Sequence, residues 1–241
     1  MGIKYKVNED FFKKWSREMA YMLGYIYADG HLEDAPYIRG KYLRITSIDK
    51  DSIVNLRKLL NSDHKIVITP KIGNRKTHYL LRIGSHVIFN DLLKHGLYPK
   101  KSLTIKLPNV PEKYVGDFVR GYFDGDGCIH LEIHNKCIKC VRTIFTSGSN
   151  NYLVKLARLL TLKAEMTPRK LYNGTRAYQL RYNTRDSKKL FEFMYKNIKN
   201  QVFLERKYKM FLKYFNYRKE RKNGKKSKNV IRYRDGLVAK G

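Results

Sequence analysis

Two copies of a short pattern, each ending in an Asp-Gly pair, occur in the chain, one in each half. The first is MLGYIYADG at residues 22–30, and the second is VRGYFDGDG at residues 119–127. A carboxylate is a hard oxygen ligand for divalent cations, and such a cation lowers the pKa of bound water and stabilises the leaving oxygen of a phosphodiester. If the two copies meet in the folded chain, Asp29 and Asp126 would form one metal-assisted hydrolytic site.

An EF-hand is an alternative interpretation of the second copy. The run Asp124-Gly-Asp126-Gly starts like a calcium loop, but such a loop needs further oxygen ligands and a glycine at its sixth position, where the sequence has Ile129. A plain Asp-Gly turn would explain either copy alone. Two copies with matching flanks favour a shared function instead.

The three cysteines offer a second possible metal site. Cys137 and Cys140 have the spacing of zinc ligands, with Cys128, His130 and His134 nearby. On a strand, however, Cys137 would point to the opposite face from Cys128 and Cys140. Ordinary strand positions are therefore the favoured interpretation of these cysteines.

The charge balance indicates the class of partner. The sequence has 51 Lys and Arg against 21 Asp and Glu, a net charge of +30 over 241 residues. A surface this basic favours a polyanionic partner, nucleic acid first and a membrane surface second. The sequence has no long apolar run and no signal-peptide pattern, so we expect no membrane span and an intracellular location, in the cytoplasm or in an organelle of a eukaryote.

The segments that follow the two motifs repeat one plan. Each motif precedes a strand-like stretch, an amphipathic helix, a hairpin and another helix. The chain therefore predicts an α+β fold of two αββαββα halves, residues 1–105 and 106–217, followed by a basic C-terminal tail, residues 218–241. The predicted elements are strands at 41–47 and 139–147, helices at 51–61 and 151–162, hairpins at 65–71 with 77–83 and 164–171 with 176–182, and helices at 85–95 and 187–198, the last with Asp186 as N-cap.

Small residues recur along the two motif helices. Ala20, Gly24 and Ala28 are four positions apart in the first, and Gly121 and Gly125 are four apart in the second. Glycine inside a helix costs about 1 kcal/mol relative to alanine. Close packing of the two helices would compensate for that cost, so we expect these stripes to form the interface between the halves.

The predicted strands place basic side chains on one face of each sheet. Leu43 and Ile45 would point to the core, whereas Arg44 would point away from it, and Phe145 and Arg142 would be separated in the same way. The outward face has donors suited to phosphates and base edges, although solvated strand positions are the ordinary alternative. The candidate DNA-binding residues are Lys41, Arg44, Lys71, Arg75, Lys76, Arg82, Lys136, Arg142, Arg169, Lys170, Arg176, Gln179 and Arg181.

With these features, the chain resembles a single-chain LAGLIDADG homing endonuclease over residues 10–217. The resemblance implies two sheets that straddle double-stranded DNA in the major groove, as a monomer with internal pseudo-twofold symmetry. It also implies metal-dependent hydrolysis of both strands of a long asymmetric site, leaving short 3′ overhangs. The cofactor would be Mg²⁺ or Mn²⁺, and Ca²⁺ could bind without supporting cleavage.

The resemblance also assigns site residues. Asp29 and Asp126 match the metal-binding acids, with the backbone carbonyls of Ala28 and Gly125 as further ligands. Lys101 and Lys207 resemble the lysines that the family places near each scissile phosphate, with Lys100 and Arg206 as substitutes, and an ordinary surface lysine is the alternative at either position. Ser47 and Ser147 depart from the family, since they occupy strand ends where some members have a glutamine, and Tyr27 stands where the second motif has Asp124, which is interpreted as an interface or capping residue.

Both terminal acids are present, which favours a cleaving enzyme over a splicing maturase or another non-cleaving relative that binds RNA or DNA. The terminal residues of the sequence do not resemble those of a protein-splicing element. We therefore expect an intron-encoded enzyme.

Overall fold

The computed structural model describes residues 5–222 and shows two similar halves, each with one four-stranded antiparallel sheet. The sheet orders are β1-β2-β4-β3 and β5-β6-β8-β7. The N-terminal half contains α1 (Arg17–Asp29), β1 (Gly30–Ala35), β2 (Gly40–Ser47), α2 (Lys50–Leu59), β3 (Ile66–Thr69), β4 (His78–Gly84) and α3 (His86–Lys94). The C-terminal half contains α4 (Val115–Asp126), β5 (Gly127–His134), β6 (Cys137–Ser147), α5 (Asn150–Lys163), β7 (Tyr172–Asn173), β8 (Tyr178–Tyr182), α6 (Thr184–Tyr195) and α7 (Glu205–Lys222). The predicted α+β fold with two repeated halves is confirmed.

Local signals in the sequence set several helix boundaries. Ser16, Ser85 and Ser149 are the N-caps of α1, α3 and α5, and each hydroxyl accepts a hydrogen bond from a backbone N–H three residues later. Gly96, just beyond α3, has φ +85°, a conformation that favours glycine. No helix within residues 5–222 is long and apolar enough to cross a membrane.

The second hairpin differs from its predicted form. Residues 164–171 are not a strand, and β7 is only two residues long. Pro168 has no N–H to donate to a sheet, and the backbone N–H and hydroxyl of Thr167 instead donate to Asp186 Oδ1, both at 3.1 Å. Asp186 lies inside the first turn of α6, and Asn183 is the N-cap of this helix. The predicted N-cap and start of this helix were wrong by three residues.

The helix α7 was not predicted. Its apolar side chains Phe211 and Tyr214 lie three positions apart and are buried, and Leu204, directly before the helix, is buried as well. This periodicity was available in the sequence but was obscured by the surrounding lysines and arginines. The helix continues past residue 218, where the basic tail was predicted to begin, and the rest of that tail, residues 223–241, lies outside the described residues.

The two motif helices α1 and α4 pack against each other along their small residues, as predicted. A β-carbon on Gly24 would overlap the carbonyl oxygen of Phe118, and one on Gly121 would overlap the carbonyl oxygen of Tyr21. The backbones therefore touch directly at two places. This contact leaves no room for any side chain, which is why glycine is required in spite of its helix propensity.

Polar side chains surround this interface. Arg17 of α1 donates from Nε and Nη2 to the carboxylate of Asp117 in α4, at 3.1 to 3.3 Å. Arg120 is fully buried, and its Nη1 donates to Asp117 Oδ1 at 2.7 Å and to the carbonyl of Met194 at 3.0 Å. These bonds fix the rotation of α4 relative to α1 and α6 because a buried guanidinium requires a defined set of acceptors.

We predict that Gly121→Ala lowers the free energy of unfolding by about 2 to 3 kcal/mol, since the added methyl group must push α4 away from Tyr21. Alanine's higher helix propensity would have stabilised an exposed position by about 1 kcal/mol. Urea denaturation measures the change, with Lys155→Ala on the exposed side of α5 as the control. An unchanged or higher stability of Gly121→Ala would contradict the close backbone contact.

Candidate functional site

Asp29 and Asp126 are the last residues of α1 and α4, and both carboxylates lie half-buried at the same end of the helix pair. Burial, followed by repulsion from Asp126, raises the pKa of Asp29 from 3.8 to about 7. Burial also raises the pKa of Asp126. Two neighbouring acids with raised pKa values at helix C-termini are poorly stabilised as anions. They would gain from a bound cation.

Lys101 and Lys207 are buried beside these two acids. Lys101 Nζ donates to the carbonyl of Tyr27 at 2.8 Å, and Lys207 Nζ donates to the carbonyl of Asp124 at 2.8 Å. The two carbonyls occupy equivalent positions, each two residues before the motif aspartate. Each lysine therefore caps the C-terminal end of the motif helix in its own half. Its positive charge also offsets part of the rise that burial causes in the pKa of Asp29 and Asp126.

The two lysines differ in their surroundings. Lys207 is fully buried and also donates to the carbonyls of Phe123, at 2.7 Å, and Gly125, at 3.2 Å. Burial lowers the pKa of Lys207 to about 8, and burial lowers that of Lys101 as well. Of the substitutes, Lys100 is exposed, and Arg206 is held by Asp49 at 2.9 Å. Lys101 and Lys207 are thus the basic residues that the structure brings to the aspartates.

Asp124 lies in α4 two residues before Asp126, and its side chain is buried in the interface between the helices. Its side chain is 2% exposed, and its Oδ2 accepts hydrogen bonds from the Tyr21 hydroxyl at 2.9 Å and from the backbone N–H of Leu204 at 2.7 Å. Asp124 thereby ties α4 to α1 and to the start of α7. Burial raises its pKa above the ordinary value.

A cavity of about 360 Å³ lies beside Asp29. Its lining includes Asp29, Asp49, Lys76 and His78, together with Ser47 at the end of β2. Lys76 was predicted from the sequence as a DNA-binding residue, whereas Asp49 and His78 were not predicted. Neither has a motif of its own, and both reach the site only because the ends of β2 and β4 lie beside α1.

The donor set suits a metal only in part. Within residues 5–222, no cluster of three or more His, Cys, Asp or Glu side chains could hold a metal ion. Asp29 and Asp126 have no hydrogen-bonding or ion-pairing side chain among the described residues, and the carbonyls of Ala28 and Gly125 precede them. The residues therefore fit an oxygen-liganded divalent cation whose other ligands come from water and substrate. The cysteines and histidines of β5 and β6 do not form a zinc cluster, and Cys140 instead donates to Glu132 at 3.2 Å.

The face of each sheet opposite the helices carries several of the candidate basic residues. Burial alternates as predicted, with Leu43, Ile45 and Phe145 in the core. On the N-terminal sheet, Arg44 of β2 and Arg82 of β4 are cross-strand neighbours on this face. On the C-terminal sheet, the same face carries Arg142 of β6 and Gln179 and Arg181 of β8. The remaining candidates at the strand connections are Lys71, Arg75, Lys76, Lys136, Lys170 and Arg176.

Two candidates are directed elsewhere. Lys41 lies on the helix side of β2, with Nζ 4.5 Å from the ring centroid of Phe89 and 3.4 Å from Asp34 Oδ2. Arg169 is paired with Asp186 at 3.3 Å, at the start of α6. The structure therefore separates these two side chains from the face that carries Arg44 and Arg82. Alternation along β2 explains the position of Lys41, because it shares a face with Leu43.

Residues 113–194 match the family of LAGLIDADG-like domains. Among curated proteins, the chain is similar to a probable translation initiation factor IF-2 of Methanocaldococcus jannaschii, with 28% identity over 167 residues, 66% of this chain and 12% of that protein. The chain thus spans only a small part of the relatives it matches.

Two solved structures share the fold. One is the homing endonuclease I-WcaI bound to its DNA recognition sequence, with a TM-score of 0.56 and 15% identity, covering 83% of this chain and 90% of that one. The other is the LAGLIDADG homing endonuclease I-GzeII in complex with its DNA target, with a TM-score of 0.57 and 13% identity, covering 88% and 92%. The domain match thus covers residues 113–194, and the likeness to these two structures shows that the chain shares the fold of LAGLIDADG endonucleases.

Proposed function

We propose that the chain is a site-specific endonuclease that binds double-stranded DNA as a monomer and hydrolyses both strands at a long asymmetric site. The observation that carries the proposal is the pair Asp29 and Asp126 at the ends of two touching helices, between two sheets with basic faces. A net charge of +30 supports binding to a polyanion. The DNA complexes of the two structurally similar endonucleases support duplex DNA as that polyanion.

The two sheets would lie in the major groove, whose width admits a two-stranded β-ribbon. If each half follows about one helical turn, the site spans roughly 20 base pairs. The two faces carry different side chains, so the two half-sites would differ in sequence. Cleavage on opposite strands near the helix ends would leave short 3′ overhangs.

A divalent cation, Mg²⁺ or Mn²⁺, would be held by Asp29 and Asp126 with the carbonyls of Ala28 and Gly125. When bound, it supplies charge for the leaving oxygen and acidity for a bound water. Lys101 and Lys207 keep the ends of α1 and α4 in place through their carbonyl contacts, and their ammonium charges favour the anionic form of both aspartates. We propose that the same two lysines face the scissile phosphates.

The gene context is proposed to be an intron. The similarity to a segment of the much longer initiation factor shows that a related domain can also be part of a larger protein. Sequencing the DNA on both sides of the gene distinguishes the two contexts. Intron boundaries would support the proposal, and a reading frame that continues into a host protein on both sides would contradict it.

We predict that Asp29→Asn and Asp126→Asn each lower the rate of DNA cleavage in Mg²⁺ by at least ~100-fold, because losing a ligand charge costs several kcal/mol of transition-state stabilisation. Both variants should bind the selected DNA about as tightly as the wild-type protein. A binding site is first selected from a randomised duplex library in Ca²⁺, and cleavage of that site is then measured in Mg²⁺.

Asp51→Asn is the control, since Asp51 is an exposed acid on α2. Full activity of the two motif variants would eliminate the proposed site. Binding by the wild-type protein without any cleavage in Mg²⁺ or Mn²⁺ would support a non-cleaving relative, such as a maturase that binds intron RNA.

We also predict that Asp29→Asn stabilises the metal-free protein at pH 8. The pKa of Asp29 is raised on folding from 3.8 to about 7, so the folded state binds more protons and the wild-type free energy of unfolding falls as pH rises through this range. Removing the charge should add about 1 to 3 kcal/mol at pH 8, less than the shift alone would give because solvent reaches the half-buried carboxylate.

Urea denaturation in EDTA at pH 5 and pH 8 measures this effect. The advantage of Asp29→Asn over the wild-type protein should be smaller at pH 5, and millimolar Ca²⁺ should stabilise only the wild-type protein. Asp51→Asn should match the wild-type protein at both pH values. Equal stability of Asp29→Asn and wild type at pH 8 would show that burial and repulsion from Asp126 do not raise the pKa of Asp29.

A further inference from the structure

Each sheet holds one arginine over a tyrosine ring on its open face. The guanidinium carbon of Arg82 lies 3.6 Å from the ring centroid of Tyr42, and that of Arg181 lies 4.6 Å from the ring centroid of Tyr172. Arginine stacks on aromatic rings through its planar guanidinium, and the attraction persists in water. Both side chains are therefore restricted before any ligand binds.

A side-chain oxygen fixes the orientation of each guanidinium within its plane. Arg82 Nη2 donates to Glu33 Oε1 at 3.0 Å. Arg181 donates to Gln179 Oε1 from Nε at 2.9 Å and from Nη2 at 2.6 Å. A guanidinium has five N–H donors, so each arginine keeps an unused edge for a further acceptor.

The ring beneath Arg82 is itself held in place. A β-carbon on Gly84 would lie 3.1 Å from Tyr42 Cε1, and one on Gly40 would lie 2.5 Å from the Tyr42 hydroxyl oxygen. The two glycines on β2 and β4 therefore leave the space that the ring occupies. A Tyr42 ring lying over backbone has little freedom to move, and it provides a fixed platform for Arg82.

Arg82 and Arg181 start from equivalent positions on their sheets. In the N-terminal half Gly30 pairs with Ile45, which pairs with Leu81, and Arg82 follows Leu81. In the C-terminal half the same row is formed by Gly127, Phe145 and Leu180, and Arg181 follows Leu180. The two backbone positions are thus equally far from Asp29 and Asp126 along the strands.

The two guanidinium groups, however, lean in opposite directions. The guanidinium of Arg82 reaches the paired residues Glu33, Tyr42 and Gly84, which lie farther from Asp29 along the strands than the backbone of Arg82 does. The guanidinium of Arg181 reaches the paired residues Gln179 and Tyr172, which lie nearer to Asp126 along the strands than the backbone of Arg181 does. Each displacement is about two residues along a strand, at roughly 3.3 Å per residue. The two heads therefore lie at unequal distances from the centre of the molecule.

We propose that Arg82 and Arg181 are pre-oriented readers of guanine, one in each half-site, and that the guanine read by Arg82 lies farther from the centre of the DNA site than the guanine read by Arg181. The two displacements together correspond to about two to four base pairs, since strand and duplex have similar rises per unit. The inference rests on the proposed binding of duplex DNA through the sheets, and it specifies which bases two of the side chains select.

Guanine is the base that matches the free edge. It presents two acceptors in the major groove, O6 and N7, and arginine binds both with two parallel N–H donors. Gln179 alone would suit adenine, but its oxygen is already engaged by Arg181. Fixing the arginine in advance also reduces the entropy lost on binding, which raises the affinity, and the fixed direction of its free donors favours a base with two matching acceptors.

The test is a binding selection from a randomised duplex library in Ca²⁺, followed by footprinting of the selected site. It requires no cleavage, and the midpoint of the protected region defines the centre. The wild-type protein should select one guanine in each half-site at unequal distances from this midpoint. Arg82→Lys should reduce the preference for the outer guanine about tenfold and leave the inner one unchanged, because lysine keeps the charge but loses the planar pair of donors. Arg181→Lys should give the converse result.

Matched variants separate orientation from folding. Tyr42→Phe keeps the stacked ring and should retain the outer guanine, whereas Tyr42→Leu should lose about threefold or more of that preference. Tyr172→Phe and Tyr172→Leu repeat the comparison for the inner guanine. Arg75→Lys and Arg176→Lys are controls, because within residues 5–222 neither arginine has a side-chain oxygen or aromatic ring as its partner, and they should weaken binding to all sequences alike.

Three results would overturn the proposal. A selected site without guanine at the positions affected by Arg82→Lys and Arg181→Lys would exclude guanine reading, and adenine opposite Arg181 would assign that position to Gln179. Two guanines at equal distances from the midpoint would contradict the opposite displacements. If no sequence is selected at all, sequence-specific DNA binding fails as well, which distinguishes failure of the proposed function from failure of this inference.

Discussion

The direct backbone contact between α1 and α4 is the constraint on which the rest of the structure depends. Gly24 and Gly121 allow each helix to touch a carbonyl of the other, and no larger residue fits at either place. This contact brings the two helix C-termini together, and with them Asp29 and Asp126. It also sets the relation between the two sheets, because β1 and β5 begin directly after these helices. The contact between α1 and α4 therefore positions both the aspartate pair and the open faces of the two sheets.

The electrostatics of the site follow from that packing. Two carboxylates at negative helix ends would be unfavourable, and their pKa values are raised accordingly. The buried lysines offset part of this cost, Lys101 from the segment that follows β4 and α3 and Lys207 from the segment that follows β8 and α6. Lys101 lies in a short 3₁₀ turn and Lys207 in a long helix, so the two halves reach equivalent contacts with different local structure. The remaining repulsion favours a cation at the helix ends.

The two halves are nearly equivalent to each other at the centre of the molecule and differ from each other at the periphery. Lys101 and Lys207 contact matching carbonyls, and Arg82 and Arg181 occupy matching strand positions. Their partners do not match, since Glu33 and Tyr42 pull one arginine outward while Gln179 and Tyr172 hold the other inward. The proposed cleavage of both DNA strands requires equivalent groups at the centre, and the proposed recognition of an asymmetric sequence requires different groups at the periphery.

The sequence by itself determined the doubled motif, the two halves, the small-residue stripe and the alternation of the sheets, because each depends on local spacing at the period of a helix or strand. Resemblance to a family also predicted Asp29, Asp126, Lys101 and Lys207 as site residues, and the structure brings these four side chains together. Alternation with Leu43 already places Lys41 on the helix side of β2, but only the tertiary structure showed that residues 164–171 form no strand and that Asp49 and His78 line the cavity beside Asp29. These features depend on contacts between distant segments, such as Thr167 with Asp186, which no local pattern encodes.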